Sequence, residues 1–211
     1  MIKGFKNMWI NHCRDNLWLY ILVLLCLIIG VVAGTVSVKL LTAEEATDLG
    51  EYLASFIGGL EGIGLDQLTV VRQSLYNNFK TIGLIWFLGL TVIGTPIILL
   101  LLFVEGFTLG FTAGFLVQAR GIQGILLAFT ALAPPNILLL PGLVTAGVLG
   151  ITFSVWLVKG RNELRSTGIF QQFLAYSLSM GILSVIIVAA GFLEAYCSPA
   201  LMKLVVSYFG F

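Results

Sequence analysis

Charged positions divide the chain into long uncharged intervals. None lies between Asp15 and Lys39 (residues 16–38), between Lys80 and Glu105 (81–104), or between Arg165 and Glu194 (166–193). Each interval exceeds the roughly 20 residues that a helix needs to cross the hydrocarbon of a bilayer. Between Glu105 and Lys159 only Arg120 is ionisable, so a further long apolar stretch, 121–158, holds one span and a shorter helix.

Basic residues beside spans stay on the cytoplasmic side. Lys3, Lys6 and Arg14 precede the first interval and place the N-terminus inside. Its uncharged run is longer than a cleaved signal core, which reads as a retained signal-anchor span. Segment 42–81 carries Glu44, Glu45, Asp48, Glu51, Glu61 and Asp66 against Arg72 and Lys80, which suits the outer face. Lys159, Arg161 and Arg165 against Glu163 return the chain to the inside. The simplest count is five crossings, with the C-terminus extracytoplasmic.

Helix limits come from local signals. Thr95-Pro96 is a helix start, with Thr as cap and Pro in the first turn, and Gly94 closes the helix before it. The second span then covers about Tyr76–Ile93 and the third Pro96–Ala119, with Glu105 inside the membrane and Arg120 at its outer edge. One span over 81–104 followed by another over 106–133 would instead bury Arg120 near the bilayer centre, at roughly 2.5–3.5 kcal/mol on insertion scales. Residues 122–133 form a short re-entrant or interfacial helix ended by Pro134-Pro135-Asn136. The fourth and fifth spans cover about Ile137–Val158 and Ile169–Leu193.

In the outer segment 42–75, Thr42-Ala-Glu-Glu45 fits a capping box. Leu49, Leu53, Phe56, Ile57 and Leu60 share one face, opposite Glu44, Asp48 and Glu51. A second stripe of Leu65, Leu68, Arg72, Leu75 and Phe79 follows breaks at Gly58-Gly59 and Gly62/Gly64. These helices rest on the bundle or on the leaflet, and the acidic residues Glu44, Glu45, Asp48 and Glu51 form a candidate docking surface for an extracytoplasmic partner. Pro199 opens a C-terminal interfacial segment, 195–211, with Leu201, Leu204, Val205 and Tyr208 on one stripe. The expected fold is thus all-α, a single polytopic integral-membrane domain over 1–211.

Composition agrees. Of 211 residues 59% are hydrophobic and 10% charged, with 24 glycines. Soluble domains carry roughly 25% charged residues, which excludes a soluble globular protein, and a net charge of +1 excludes a nucleic-acid binder. Glycines recur one turn apart: Gly30 and Gly34 on the first span, Gly106, Gly110 and Gly114 on the third, and Gly142, Ala146 and Gly150 on the fourth. Small residues at this spacing let helix backbones approach closely in lipid. Packing within the chain is the first reading, and a homodimer through one ladder is the alternative.

Candidate chemistry is sparse. His12 is the only histidine, Cys13, Cys26 and Cys197 fall at three different depths, and no phosphate-cradling loop is present. No catalytic set, metal site or cofactor is expected. The outer carboxylates lie on the wet face of an amphipathic helix without a cleft, and a glycoside-hydrolysing pair does not fit them. Glu105 is the one intramembrane acid, with hydrogen bonding to a neighbouring helix as its expected role.

The order of these features resembles the stage II sporulation protein M family. The residues that carry the resemblance are the basic N-terminus, the acidic outer segment, Asn77-Asn78 before the second span, Gly94-x-Pro96, Glu105-Gly106-x-x-x-Gly110, and Pro134-Pro135-Asn136 through Pro141 with Gly147 and Gly150. Broader members carry Asn in place of Glu105, and a Pro-His-Gly then Glu pattern where this chain has Pro135, Asn136 and Leu139. That departure fits the sporulation branch. The resemblance implies a non-enzymatic scaffold in a bacterial cell membrane that recruits stage II sporulation proteins D and P to the septal membrane, where they cut peptidoglycan. A permease-type subunit of an ATP-driven transporter is the alternative.

Overall fold

A computed structural model describes residues 16–61, 67–159 and 169–209. The basic residues Lys3, Lys6, Arg14, Arg161 and Arg165, together with His12, Cys13, Asp66 and Glu163, lie outside the described residues. So does Leu65, and the side chains of Phe56, Ile57, Leu60, Glu61, Leu68 and Lys159 are likewise outside.

All described elements are helical. They are α1 (Leu17–Ser37), a 3-10 turn (Val38–Leu40), α2 (Ala43–Glu61), α3 (Gln67–Gly89), α4 (Gly94–Lys159), α5 (Ile169–Phe192), a π turn (Leu193–Cys197) and α6 (Ser198–Phe209). Among the described residues three stretches are long and apolar enough to cross a membrane: Leu17–Leu40, Gly94–Val158 and Ile169–Tyr208. α3 is not among them, because Arg72, Gln73, Asn77, Asn78 and Lys80 dilute its apolar content.

α4 is two helices joined by a reversal. Gly121 has φ 55° and ψ −126°, a conformation that an L-residue with a side chain rarely takes, and it splits α4 into arm A (94–120) and arm B (122–159). A β-carbon on Gly124 would overlap the carbonyl of Leu116, and one on Gly147 or Gly150 would meet Leu102 or Ile98 respectively. The arms therefore run antiparallel. The reversal falls directly after Arg120.

Direction alternates from one long segment to the next. Gly106, Gly110 and Gly114 of arm A face Leu27, Val31 and Thr35 of α1 in the same order, so these two run parallel. α3 is antiparallel to arm A, with Thr81 opposite Glu105, and to α5, with Trp86 opposite Ser177 and Ser74 opposite Glu194. The shared core includes Ile85, Ile98, Leu102, Val148, Ile151, Leu183 and Ile187, all nearly free of exposed surface. By contrast, one whole side of α1 from Trp18 to Val36 is exposed, as a lipid-facing helix requires.

Four expected limits differ. α2 continues through Gly58-Gly59 to Glu61 instead of breaking there. Glycine in a helix interior costs only about 1 kcal/mol, which neighbouring turns can carry. The second outer stripe from Leu68 onward and the second span are one continuous helix, α3, that ends at Gly89, with a turn over 90–93.

The third difference is that Pro134 and Pro135 lie inside arm B and do not end a helix at 133; Pro141 lies inside it too. A proline leaves the carbonyl four residues back without its helical donor, here those of Thr130, Ala131 and Ile137, and the rest of the helix keeps its backbone bonds internal. The neighbouring turns carry side-chain bonds to other carbonyls, from the Asn136 amide to Leu132 at 2.7 Å and from the Thr130 hydroxyl to Leu126 at 2.9 Å.

The fourth concerns α6. Its inward stripe is Met202 and Val206, while Leu204 and Tyr208 are exposed. The π turn adds a residue just before it and so rotates the face that α6 presents.

Candidate functional site

α2 begins with the capping box that its sequence calls for. The backbone N–H of Thr42 and its hydroxyl donate to the Glu45 carboxylate at 2.9 and 2.8 Å, and the N–H of Glu45 approaches the Thr42 hydroxyl at 3.4 Å. These bonds favour the ionised carboxylate and hold its pKa below the ordinary value. Glu45 is therefore engaged in the cap. Glu44, Asp48 and Glu51 are exposed and form the open acidic face, while Leu49 and Leu53 on the other side are half-buried.

Leu53 seats α2 on a small apolar cluster of Leu127, Ala131, Met202, Val205 and Val206. The cluster brings together three regions distant in sequence: α2, the first turns of arm B, and α6. Segments 42–61, 122–131 and 198–209 thus share one end of the molecule, with the acidic face pointing away from it.

The first glycine ladder forms a backbone seam. A β-carbon on Gly106 or Gly110 would overlap the carbonyl of Leu27 or Val31, and one on Gly30 or Gly34 would overlap that of Phe103 or Phe107. Small residues on both helices thus interdigitate, the arrangement that close packing in lipid favours. The Thr35 hydroxyl crosses the seam to the Gly110 carbonyl at 3.1 Å, and the Cys26 thiol to that of Leu99 at 3.2 Å. The second ladder is looser: Gly142 meets the Ile187 side chain at 3.4 Å, Ala146 is buried, and Gly150 accommodates Ile85 and Ile98.

Two acids meet one face of α3. Thr81 donates to Glu105 at 2.9 Å, a hydrogen bond between α3 and arm A. Ser74, two turns earlier, is buried and donates to Glu194, and the Asn78 amide approaches the Ser74 hydroxyl at 3.5 Å. Sequence reasoning missed Glu194 as an interacting residue. It had the look of a charge that merely ends a span, although Asn78 in the quoted Asn77-Asn78 pair was a usable signal. Arg120 is exposed at the end of arm A.

At the opposite end, Ser154 of arm B is fully buried against the α3–α4 turn. Its hydroxyl donates to the Thr91 carbonyl at 2.7 Å and accepts from Thr95 at 3.2 Å, so Thr95 ties arm B to the turn. Tyr176 of α5 stacks on Phe153 at 4.5 Å and donates to the Trp86 carbonyl at 3.1 Å. Pro135 is buried and Pro134, Asn136 and Pro141 are half-buried or exposed along arm B, with no charged side chain bonded to them among the described residues. Among the described residues no three His, Cys, Asp or Glu side chains converge in a metal-binding group. The arrangement is one of packing seams, buried hydroxyl contacts and an outward acidic face.

The sequence model of the stage II sporulation protein M (SpoIIM) family matches residues 23–199. No curated protein and no solved structure matches the chain.

Proposed function

The chain belongs to the stage II sporulation protein M family, a sporulation family, and from that premise we propose that it is a non-enzymatic scaffold of the bacterial cell membrane. It recruits and positions stage II sporulation proteins D and P at the septal and engulfing membrane during endospore formation. The observation that carries this reading is the acidic face of α2. Glu44, Asp48 and Glu51 stand exposed on a helix whose start is fixed by the Thr42–Glu45 cap and whose other side rests on Leu127, Met202 and Val206.

The proposed topology has five crossings, α1, α3, arm A, arm B and α5, with the N-terminus cytoplasmic and α2 and α6 outside. The alternating direction of these segments supports it, and so does the polar content of α3, which turns Ser74 and Thr81 towards acids of its neighbours, with Asn78 beside Ser74.

Charge reversal tests the docking role. In sporulating cells, Glu44→Lys, Asp48→Lys and Glu51→Lys together should reduce septal recruitment of fluorescent fusions of the two partners several-fold while membrane levels of the scaffold hold. Exposed substitutions of this kind change stability by no more than about 0.5 kcal/mol. Unchanged recruitment would remove α2 as the docking surface.

A further inference from the structure

The seam between α1 and arm A opens towards the end that carries α2. At Gly106 and Gly110 the backbones touch, but at Gly114 a β-carbon would sit 3.2 Å from Thr35 Cα and 3.2 Å from Val38 Cγ2, a tight but less severe approach. There the surface holds a groove of about 640 Å³ lined by Thr35 and Lys39 of the α1 side and by Ala113, Gly114, Val117 and Gln118 of arm A. Its floor is apolar in character: Thr35 directs its hydroxyl to the carbonyls of Val31 and Gly110, and Gly114 and Ala113 offer almost no side chain. Lys39 and Gln118 lie four residues beyond Thr35 and Gly114, about 6 Å along each helix axis, at the mouth.

Lys39 is the first charge after the uncharged run 16–38, which sets it where hydrocarbon gives way to headgroups. It is exposed and makes no hydrogen bond or ion pair among the described residues. An apolar cleft between spans with an unmatched cation at its rim is complementary to a molecule with a hydrocarbon chain and an anionic head. At that depth a bilayer presents phosphates.

We infer that this groove binds an anionic phospholipid, with one acyl chain over Gly114 and Ala113 and the phosphate against the Lys39 ammonium, the Gln118 amide acting as a second donor. The inference rests on α1 crossing the bilayer and is independent of which protein docks on α2. It gives the α1–arm A seam a lipid-dependent end, so that membrane composition acts on the segment from which α2 departs.

Native mass spectrometry of the full chain in detergent tests it, with phosphatidylglycerol and phosphatidylcholine of identical acyl chains as probes. The wild type should retain phosphatidylglycerol in preference to phosphatidylcholine. Lys39→Gln should weaken phosphatidylglycerol about fivefold, the scale of one basic residue at a charged bilayer surface, and Lys39→Arg should restore it. Ala113→Leu and Val117→Trp, with helix content checked by circular dichroism, should weaken both lipids by filling the cleft. Equal retention of the two lipids, unaltered binding in Lys39→Gln, or no effect of either cleft variant that keeps its fold would overturn the site. Displacement of the lipid by inorganic phosphate would also overturn it, by assigning Lys39 to a free anion.

Discussion

Gly110 lies directly beneath the main-chain carbonyl of Val31, so close that a β-carbon would overlap that oxygen. The same carbonyl also accepts from the Thr35 hydroxyl at 2.9 Å, and Thr35 reaches on to the Gly110 carbonyl. One glycine therefore sets the distance between two helices whose outer sides face lipid. Because lipid offers no hydrophobic gain to offset a lost contact, the seam depends on close packing and on the few hydrogen bonds that cross it.

Gly110→Ala should already destabilise the fold, by about 1–3 kcal/mol in the manner of an overpacked core, and Gly110→Leu should do so more. Gly114→Ala should be milder, since its nearest neighbours stand 3.2–3.3 Å away and include side-chain methyls. Unfolding of the monomer in mixed detergent micelles, followed by circular dichroism, measures the order. Equal stability of Gly110→Ala and wild type would show that the two backbones are farther apart than this.

The spacing of Gly106, Gly110 and Gly114 was legible in sequence because a small residue every fourth position has few other uses in lipid. Its partner was not, since any helix with matching small residues would serve until Gly30 and Gly34 are placed opposite. The Thr42–Glu45 cap was legible for the same local reason: both halves lie within one turn. Pro134-Pro135 misled because proline ends helices in water, whereas an apolar segment in lipid keeps its remaining backbone bonds internal by staying helical, and arm B continues through both. Glu194 stayed hidden because its partner, Ser74, is 120 residues away and only the antiparallel pairing of α3 and α5 brings them together.

The cap makes the start of α2 sensitive to acid. Glu45 has a lowered pKa in the folded protein, so its contribution is present above the unfolded value of about 4.5 and is lost as pH falls through the lower folded value. Helix content of α2, read by hydrogen exchange at Ala46 and Thr47, should drop across that window. Glu45→Gln should abolish the pH step, and Thr42→Ala should reduce protection at every pH. A step that persists in Glu45→Gln would assign the titration to another carboxylate.

Topology is tested by single cysteines introduced into a chain lacking its native ones. A membrane-impermeant thiol reagent added to intact cells should label Asp48→Cys and Tyr208→Cys, which lie on exposed positions of α2 and α6, and should spare Arg161→Cys. Labelling of Arg161→Cys from outside would reverse or break the five-crossing order. Protection of Tyr208→Cys alone would place α6 on the other face and separate it from the cluster it forms with Leu127 and Leu53.

The contact between Ser74 and Glu194 should be the strongest polar tie between α3 and α5. Ser74 is 5% exposed, so its hydroxyl has little access to water if the carboxylate is removed. Hydrogen bonds to charged groups contribute roughly 1.5–3 kcal/mol, and a stranded buried partner adds its own desolvation. Ser74→Ala and Glu194→Ala should each destabilise the bundle on that scale, and the double variant should be little worse than the worse single one. Ser74→Ala and Thr81→Ala should instead add, because Thr81 binds a different acid, Glu105. Additivity of Ser74→Ala with Glu194→Ala to within about 0.3–0.5 kcal/mol would mean that the two side chains do not depend on each other. The pairing that fixes the antiparallel register of α3 against α5 would then have to come from Tyr176 and Ser177 at the other end.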